Sequence, residues 1–126
     1  MIAHIDITGV GNYSPDESSK KYIRKKIGSL SRLAPRHARK SMRAEVKLAE
    51  VNRAHGNKYE VEVLLQVPDK TLTAKDSTLN ILAATDIVEA KLAAQLRRYK
   101  AERIPHVGRR KLLNHFKRSF AREQQA

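Results

Sequence analysis

Alternation of apolar and polar residues along the chain predicts four β-strands. Ala3, Ile5 and Ile7 alternate with polar neighbours, and the same period of two recurs in three later segments. His55-Gly56-Asn57 and Pro68-Asp69-Lys70 are turn signals, and such short connections favour an antiparallel meander of the last three strands. The apolar positions of those strands are Met42, Ala44, Val46 and Leu48, then Tyr59, Val61, Val63, Leu65 and Val67, and finally Leu72 and Ala74.

A helical period predicts a first helix after the first strand. Ile23, Ile27 and Leu30 follow one another at spacings of four and three, which places them on one face. Within the segment 14–17, Ser14 is a candidate N-cap, Pro15 suits the first helical position, and Glu17 completes a capping box. Ala34-Pro35 is expected to end this helix, because proline disfavours a helical residue before it.

A second, longer helix is expected after the fourth strand. Asp76 or Ser77 is the predicted cap, and Ile104-Pro105 is the predicted end. Its apolar stripe is Ile81, Ala84, Val88, Leu92 and Tyr99, with Gln95 and Leu96 beside it.

The order β-α-β-β-β-α predicts an α+β fold. We expect an antiparallel four-stranded sheet whose apolar face is covered by the two helices, packed side by side as in a double-stranded-RNA-binding domain. Residues 1–103 are predicted to form one domain, which suits the length of 126 residues. Residues 104–126 are predicted to be a basic C-terminal tail, in which Leu112, Leu113, Phe116 and Phe120 share one short apolar face.

Charge is segregated along the chain. There are 26 basic and 13 acidic residues, a formal net charge of +13. Residues 20–43 hold ten basic residues and no acidic one, and residues 97–122 hold ten basic residues and one acidic one. Paired helices would bring these two blocks to one surface. Such a surface indicates an anionic partner, with nucleic acid as the first candidate and an anionic membrane as the second.

Several kinds of chemistry find no support in the sequence. The chain has no cysteine, which excludes disulfides, thiol nucleophiles and cysteine-based zinc sites. The five histidines show no ligand spacing, and Gly9-Val10-Gly11 is a turn rather than a dinucleotide fingerprint. We predict no catalytic residue, no metal and no cofactor. No apolar run is long enough for a membrane span and no signal peptide is evident, so we expect a cytoplasmic protein without a membrane partner.

The aromatic residues limit the kind of nucleic acid that the chain can recognise. Aromatic residues are few, and Tyr22, Tyr59 and Tyr99 fall at predicted core positions, so no strand offers a platform for stacked bases. Lysine and arginine on helices are left to recognise phosphates and the shape of structured RNA. The charge argument selects these cations for that role: Arg24, Lys25, Arg97, Lys100 and Arg103.

Three stretches resemble the ribosome hibernation-promoting factors, a family also called protein Y or ribosome-associated inhibitor. They are Ile5-Asp6-Ile7-Thr8-Gly9, Tyr22-Ile23-Arg24-Lys25-Lys26-Ile27, and Ala83-Ala84-Thr85-Asp86 followed by Lys91-Leu92-Ala93-Ala94-Gln95-Leu96-Arg97-Arg98-Tyr99-Lys100. The resemblance covers about residues 1–103. The chain resembles a short form of the family, without the second, dimerising domain. By position, the resemblance adds these residues as rRNA contacts: Lys26, Arg32, Lys91, Gln95 and Arg98.

The resemblance implies a bacterial or plastid factor that docks on the small ribosomal subunit. The family binds rRNA in the decoding cleft between head and body, next to ribosomal proteins, and blocks the mRNA and tRNA sites. It thereby silences translation in idle 70S ribosomes. Competition with mRNA, tRNA and initiation factors, and a monomer when free, are the corresponding expectations for this chain.

Some positions depart from the family pattern. Ser29, Asn80, Leu82 and Ala94 differ from the common residues, and the tail is basic where some short members are acidic. Possible tail contacts to RNA are Arg109, Arg110, Lys111, Lys117 and Arg118. Three alternatives stay open at this point: a generic structured-RNA module or permanent ribosomal protein, a membrane-surface protein acting through the tail, and an enzyme whose groups assemble only in the fold.

Overall fold

The structure is a computed structural model that describes residues 1–51 and 56–103, with the backbone alone at Arg103. The predicted α+β order is present, with two short helical segments added between the first helix and the second strand. In chain order the elements are β1 (His4–Gly9), α1 (Glu17–Gly28), a 3₁₀ turn (Ser29–Leu33), α2 (Arg36–Arg39), β2 (Arg43–Glu50), β3 (Tyr59–Val67), β4 (Lys70–Thr78) and α3 (Ile81–Arg103).

The sheet has the order β1-β2-β3-β4. The predicted antiparallel meander of β2, β3 and β4 is confirmed. The expectation that all four strands run antiparallel was wrong, because β1 is parallel to β2, with His4 opposite Arg43. The segment from α1 to α2 carries the chain back to the end of the sheet where β1 begins. The second strand therefore starts beside the first and runs in the same direction.

One face of the sheet forms the core with the helices. Ile7, Val46, Val63 and Ala74 stand in one row across the four strands, and the last three are buried. The helices contribute the opposing apolar stripes: Ile23 and Ile27 from α1, and Ala84, Val88, Leu92, Leu96 and Tyr99 from α3. Leu92 and Leu96 have no exposed surface, and burial of such a side chain contributes about 1.5–3 kcal/mol.

Both helix caps differ from the prediction. The N-cap of α1 is Asp16 rather than Ser14, and its carboxylate accepts the backbone N–H of Ser19 at 3.1 Å. Asn80 caps α3, since its side-chain oxygen accepts the N–H of Leu82 at 2.7 Å. In both cases a better-placed side-chain oxygen satisfies the free N–H groups of the first helical turn.

The predicted caps Asp76 and Ser77 belong instead to β4. That strand is longer than predicted, because Asp76 continues the pairing opposite Val61 and Ser77 does so opposite Glu60. The predicted helix up to Ala34 is divided into α1 and the 3₁₀ turn, and Ala34 is the residue that follows the turn.

Two predictions reach beyond the described residues. In the predicted turn at positions 55–57, His55 lies outside them, while Gly56 adopts a φ of +76°, which glycine tolerates at no steric cost. The apolar face within residues 104–126 also lies outside them. The domain boundary after residue 103 stays a prediction.

Candidate nucleic-acid interface

The helix α3 runs antiparallel to the edge strand β4. Three side-chain hydrogen bonds show the direction, because residues further along the helix bond to residues earlier in the segment that contains β4. They join Lys91 Nζ to the Lys75 carbonyl oxygen (3.2 Å), Gln95 Nε2 to the Thr73 carbonyl oxygen (2.8 Å) and Tyr99 Oη to Asp69 Oδ1 (2.9 Å).

The two long helices point the same way. β1 and β4 are parallel to each other, since β1 is parallel to β2 and two antiparallel steps separate β2 from β4. α1 leads the chain back along β1, and α3 leads it back along β4. The C-terminal turns of both helices therefore lie at the same end of the sheet. Cations there complement the partial negative charge of each helix end, and Lys25 and Lys26 occupy the last turn of α1.

The outer face of α1 is cationic. Lys21, Arg24 and Lys25 are exposed, and Arg24 and Lys25 follow Lys21 by three and four residues, which makes each of them a neighbour of Lys21 on the helix surface. Within the described part of the chain, none of the three forms an ion pair. Arg24 and Lys25 were selected from the sequence, and the structure adds Lys21 to the same face.

A groove between the two helices holds Lys26, Tyr22 and Asp86. The Tyr22 hydroxyl donates to Asp86 Oδ1 at 2.5 Å. The Lys26 ammonium lies 3.8 Å from the same oxygen and 5.8 Å from the centre of the Tyr22 ring. The hydrogen bond to Asp86 raises the pKa of Tyr22 above its ordinary value, because it favours the protonated hydroxyl. This cluster joins α1 to α3 at the surface.

The polar residues of α3 form two rows. One row contains Asp86, Arg97 and Lys100 at helical spacing, with the buried Ala93 between them on the same side, and it lies on the side toward α1. The other row lies on the side toward β4 and contains Lys91, Gln95 and Arg98.

Protein groups hold two of the β4-side residues. The Lys91 ammonium lies 3.3 Å from Asp76 Oδ2 in addition to its bond with the Lys75 carbonyl. Gln95 is bonded to the strand backbone in the same way. Both side chains fix α3 to β4. Arg98, in contrast, is exposed and has no ion pair within the described residues.

Arg32 lies on the 3₁₀ turn with an exposed side chain. The guanidinium of Arg39 donates to the carbonyl oxygens of Arg32 at 3.2 Å and Ala34 at 3.1 Å, which fixes the turn that carries Arg32. The side chain of Arg103 lies outside the described residues, as do all five predicted tail contacts: Arg109, Arg110, Lys111, Lys117 and Arg118.

The opposite face of the sheet has a different charge character. Its exposed or half-exposed side chains mix both signs, with carboxylates in the majority. Glu60 lies 3.8 Å from Lys75, and Asp6 stands beside Glu45 in the register of β1 and β2. The charged side chains of this face are Asp6, Glu45, Glu60 and Glu62 together with Arg43, Lys47 and Lys75. Among the described residues, the excess of exposed cations over carboxylates therefore lies on the helical side of the domain.

Sequence reasoning missed the acidic partners in this site. Asp86 and Asp76 each hold a lysine that had been predicted to contact RNA. The sequence does place Asp86 on the same side of the helix as Ala93, seven residues later. This spacing identifies Asp86 as a partner for α1 only when the packing of α1 against that side is known.

The described residues 1–51 and 56–103 do not bring three or more His, Asp or Glu side chains together in a way that would hold a metal ion. Within the same ranges, every helix is too short or too polar to span a membrane.

Comparison with known proteins gives one family and a set of similar folds that includes the two below. The family model described as "Sigma 54 modulation protein / S30EA ribosomal protein" matches residues 5–104. The N-terminal domain of Protein Y from Thermus thermophilus superimposes with a TM-score of 0.61 at 21% identity, covering 79% of this chain and 99% of that one. A ribosomal subunit interface protein from Coxiella burnetii gives a TM-score of 0.63 at 23% identity, covering 78% of this chain and 98% of that one. No curated protein sequence matches the chain.

Proposed function

The chain belongs to the sigma 54 modulation protein / S30EA ribosomal protein family of ribosome-associated modulation proteins, and on that basis we propose that it is a ribosome hibernation factor. In this proposal it binds small-subunit rRNA in the decoding cleft and occupies the mRNA and tRNA sites. Translation in idle 70S ribosomes is thereby silenced by steric occlusion, without catalysis. The free protein is a cytoplasmic monomer that competes with mRNA, tRNA and initiation factors.

The excess of exposed cations on the helical side, against the mixed charges of the sheet face, is the observation that carries this proposal. A domain that recognised only proteins would have no need of this asymmetry, whereas rRNA presents phosphates along every surface. The parallel helices set their cations at one end of the sheet, so one edge of the domain meets a folded RNA. The sheet face, with its mixed charges, then points away from the phosphates.

The structure divides the proposed site residues by their availability. We propose that the exposed cations contact phosphates directly: Arg24, Lys25, Arg32, Arg97, Arg98 and Lys100. Lys26, Lys91 and Gln95 are already bonded to protein groups, so we assign them the task of holding the two helices in place. Arg103 and the basic tail extend the proposed contacts along the RNA.

Co-sedimentation with vacant 70S ribosomes and separated subunits tests the proposal. We expect near-stoichiometric binding to the small subunit, displacement by initiator tRNA together with mRNA, and a steep loss of affinity with salt. Each phosphate contact contributes a slope of about −0.9 to the log–log salt dependence on a duplex.

A matched pair of variants separates the two faces. Arg24→Gln with Arg97→Gln removes two charges from the helical side, and Arg43→Gln with Lys47→Gln removes two from the sheet face. We expect the first variant to lose at least about tenfold in affinity, with a salt slope reduced by about 1.8. The second should bind like the wild type. Equal losses, or binding that ignores tRNA and mRNA, would contradict occlusion and favour a generic RNA module or a permanent ribosomal protein.

A further inference from the structure

Asp86 places a carboxylate on the cationic helical side, where α3 faces α1. Its side chain is half exposed and contacts Tyr22 and Lys26 of α1, while Arg97 and Lys100 follow it further along the same side of α3. Glu89, one turn further along α3, also acts electrostatically on Tyr22 in the same groove. A surface that only gathered phosphates would gain nothing from acidic side chains at this position.

Because acidic side chains lie in the groove beside Lys26, the net positive charge of the groove is small. Among the described residues, the Lys26 ammonium contacts both acidic and aromatic groups there: it lies 3.8 Å from the Asp86 carboxylate and 5.8 Å from the centre of the Tyr22 ring. The cations of the helical side lie in two areas away from Asp86. One is the outer face of α1 with Arg24 and Lys25, and the other is the C-terminal part of α3 with Arg97 and Lys100.

We propose that Asp86 is a specificity-determining residue, whose carboxylate excludes phosphates from the groove between α1 and α3 and retains Lys26 there. A duplex of arbitrary sequence whose backbone crosses the groove meets this charge and binds weakly. A folded rRNA that offers phosphates to the two cationic areas separately avoids it. Discrimination then arises from a repulsive element against the wrong partner as well as from attraction to the right one.

This inference rests on the proposed function, since it assumes that the helical side faces rRNA. The substitution Asp86→Asn tests it, because asparagine keeps the size of the side chain and an oxygen that accepts the Tyr22 hydroxyl. Glu45→Gln is the matched control. It changes the net charge by the same amount, but Glu45 is exposed on the opposite face of the sheet. Thermal melts of both variants establish that the fold is retained.

The measurements are dissociation constants for a short duplex RNA of arbitrary sequence and for purified small subunits, at the same salt concentration. We expect Asp86→Asn to tighten duplex binding by about three- to tenfold, the effect of removing one charge a few ångströms from a phosphate. Binding to small subunits should change by less than about twofold. Asp86→Glu restores a carboxylate and should return duplex binding to the wild-type value. Glu45→Gln should leave both constants near their wild-type values.

Three results would overturn the proposal. They are an unchanged duplex affinity in Asp86→Asn, an equal gain in Glu45→Gln, or an Asp86→Glu variant that binds duplex as tightly as Asp86→Asn. The proposed function fails in a different way, when the wild-type protein does not bind small subunits. The duplex measurements still test the carboxylate in that case.

Discussion

Arg98 and Lys91 stand on the same side of α3, and we expect different consequences when their charges are removed. Loss of the Arg98 charge should weaken RNA binding, whereas loss of the Lys91 ion pair should lower stability. Arg98 is exposed and has no ion pair within the described residues. The Lys91 ammonium lies between Asp76 Oδ2 at 3.3 Å and the Lys75 carbonyl at 3.2 Å. The perturbations are Arg98→Met, and Lys91→Met combined with Asp76→Asn, which removes an ion pair without changing the net charge.

The expected changes in unfolding free energy and Tm follow from how exposed these side chains are. Lys91 is 49% exposed and Asp76 31%, so solvent screens their attraction. Loss of the pair with its carbonyl hydrogen bond should cost about 1 kcal/mol of unfolding free energy. For a domain of this size that lowers Tm by about 4–8 °C. Arg98→Met should leave Tm within about 2 °C, because changes of exposed side chains away from such contacts cost little.

The assay is RNA binding measured over a range of salt concentrations, beside thermal unfolding of the free proteins. Arg98→Met should lower the log–log salt slope by about 0.9, and the double variant should leave the slope unchanged. The reasoning is refuted if the double variant loses as much slope as Arg98→Met. That result would mean that Lys91 leaves Asp76 and contacts a phosphate in the complex.

Three further outcomes can be measured on the free protein. Leu92→Ala, at a site with no exposed surface, should lower the unfolding free energy by about 2–5 kcal/mol in urea titrations, and a loss below about 1 kcal/mol would contradict the packing described. Asn80→Ala should lower it by about 0.5–2 kcal/mol through loss of the α3 cap, while RNA affinity stays at the wild-type value. Hydrogen bonds that Asp16 accepts from Ser19 and Ser18 lower its pKa below the ordinary value of 3.8. The contribution of Asp16 to stability is therefore present above that pH and is lost as the pH falls through the pKa of Asp16 in the folded protein. Thermal melts in steps from neutral to strongly acidic pH should accordingly show a steeper acid loss in the wild type than in Asp16→Asn, and identical profiles would count against this cap.

The sequence predicted the positions of the strands because burial of one face imposes a period of two. Val61, Val63 and Leu65 were assigned to the core face in this way and have no exposed surface. The same period carries no information about direction, so the parallel pairing of β1 escaped prediction. Direction is decided by the return of the chain through α1 and α2, which is a property of the whole fold.

Helix starts and ion pairs depended on contacts between distant parts of the chain. Tyr13 packs against Tyr59 with 5.9 Å between ring centres, and an added Cβ at Gly9 would lie 1.9 Å from the Tyr13 carbonyl oxygen. These contacts hold the segment before α1, so the helix starts after Asp16 rather than after Ser14. Charge segregation predicted which cations lie on the helices, but only the packing of α1 on α3 pairs Lys26 with Asp86.

The parallel pairing of β1 with β2 has a consequence for the order of folding events. The hairpins β2–β3 and β3–β4 close short loops, whereas β1 joins the sheet only after a loop of about 40 residues has closed, with His4 beside Arg43. Non-local pairing of this kind slows folding because the loop entropy is lost before the contact is gained. Within the described residues, β1 also has a strand neighbour on one side only. We therefore expect the amide hydrogens of β1 to exchange with solvent sooner than those of β3, and the joining of β1 to be the last step in forming the sheet.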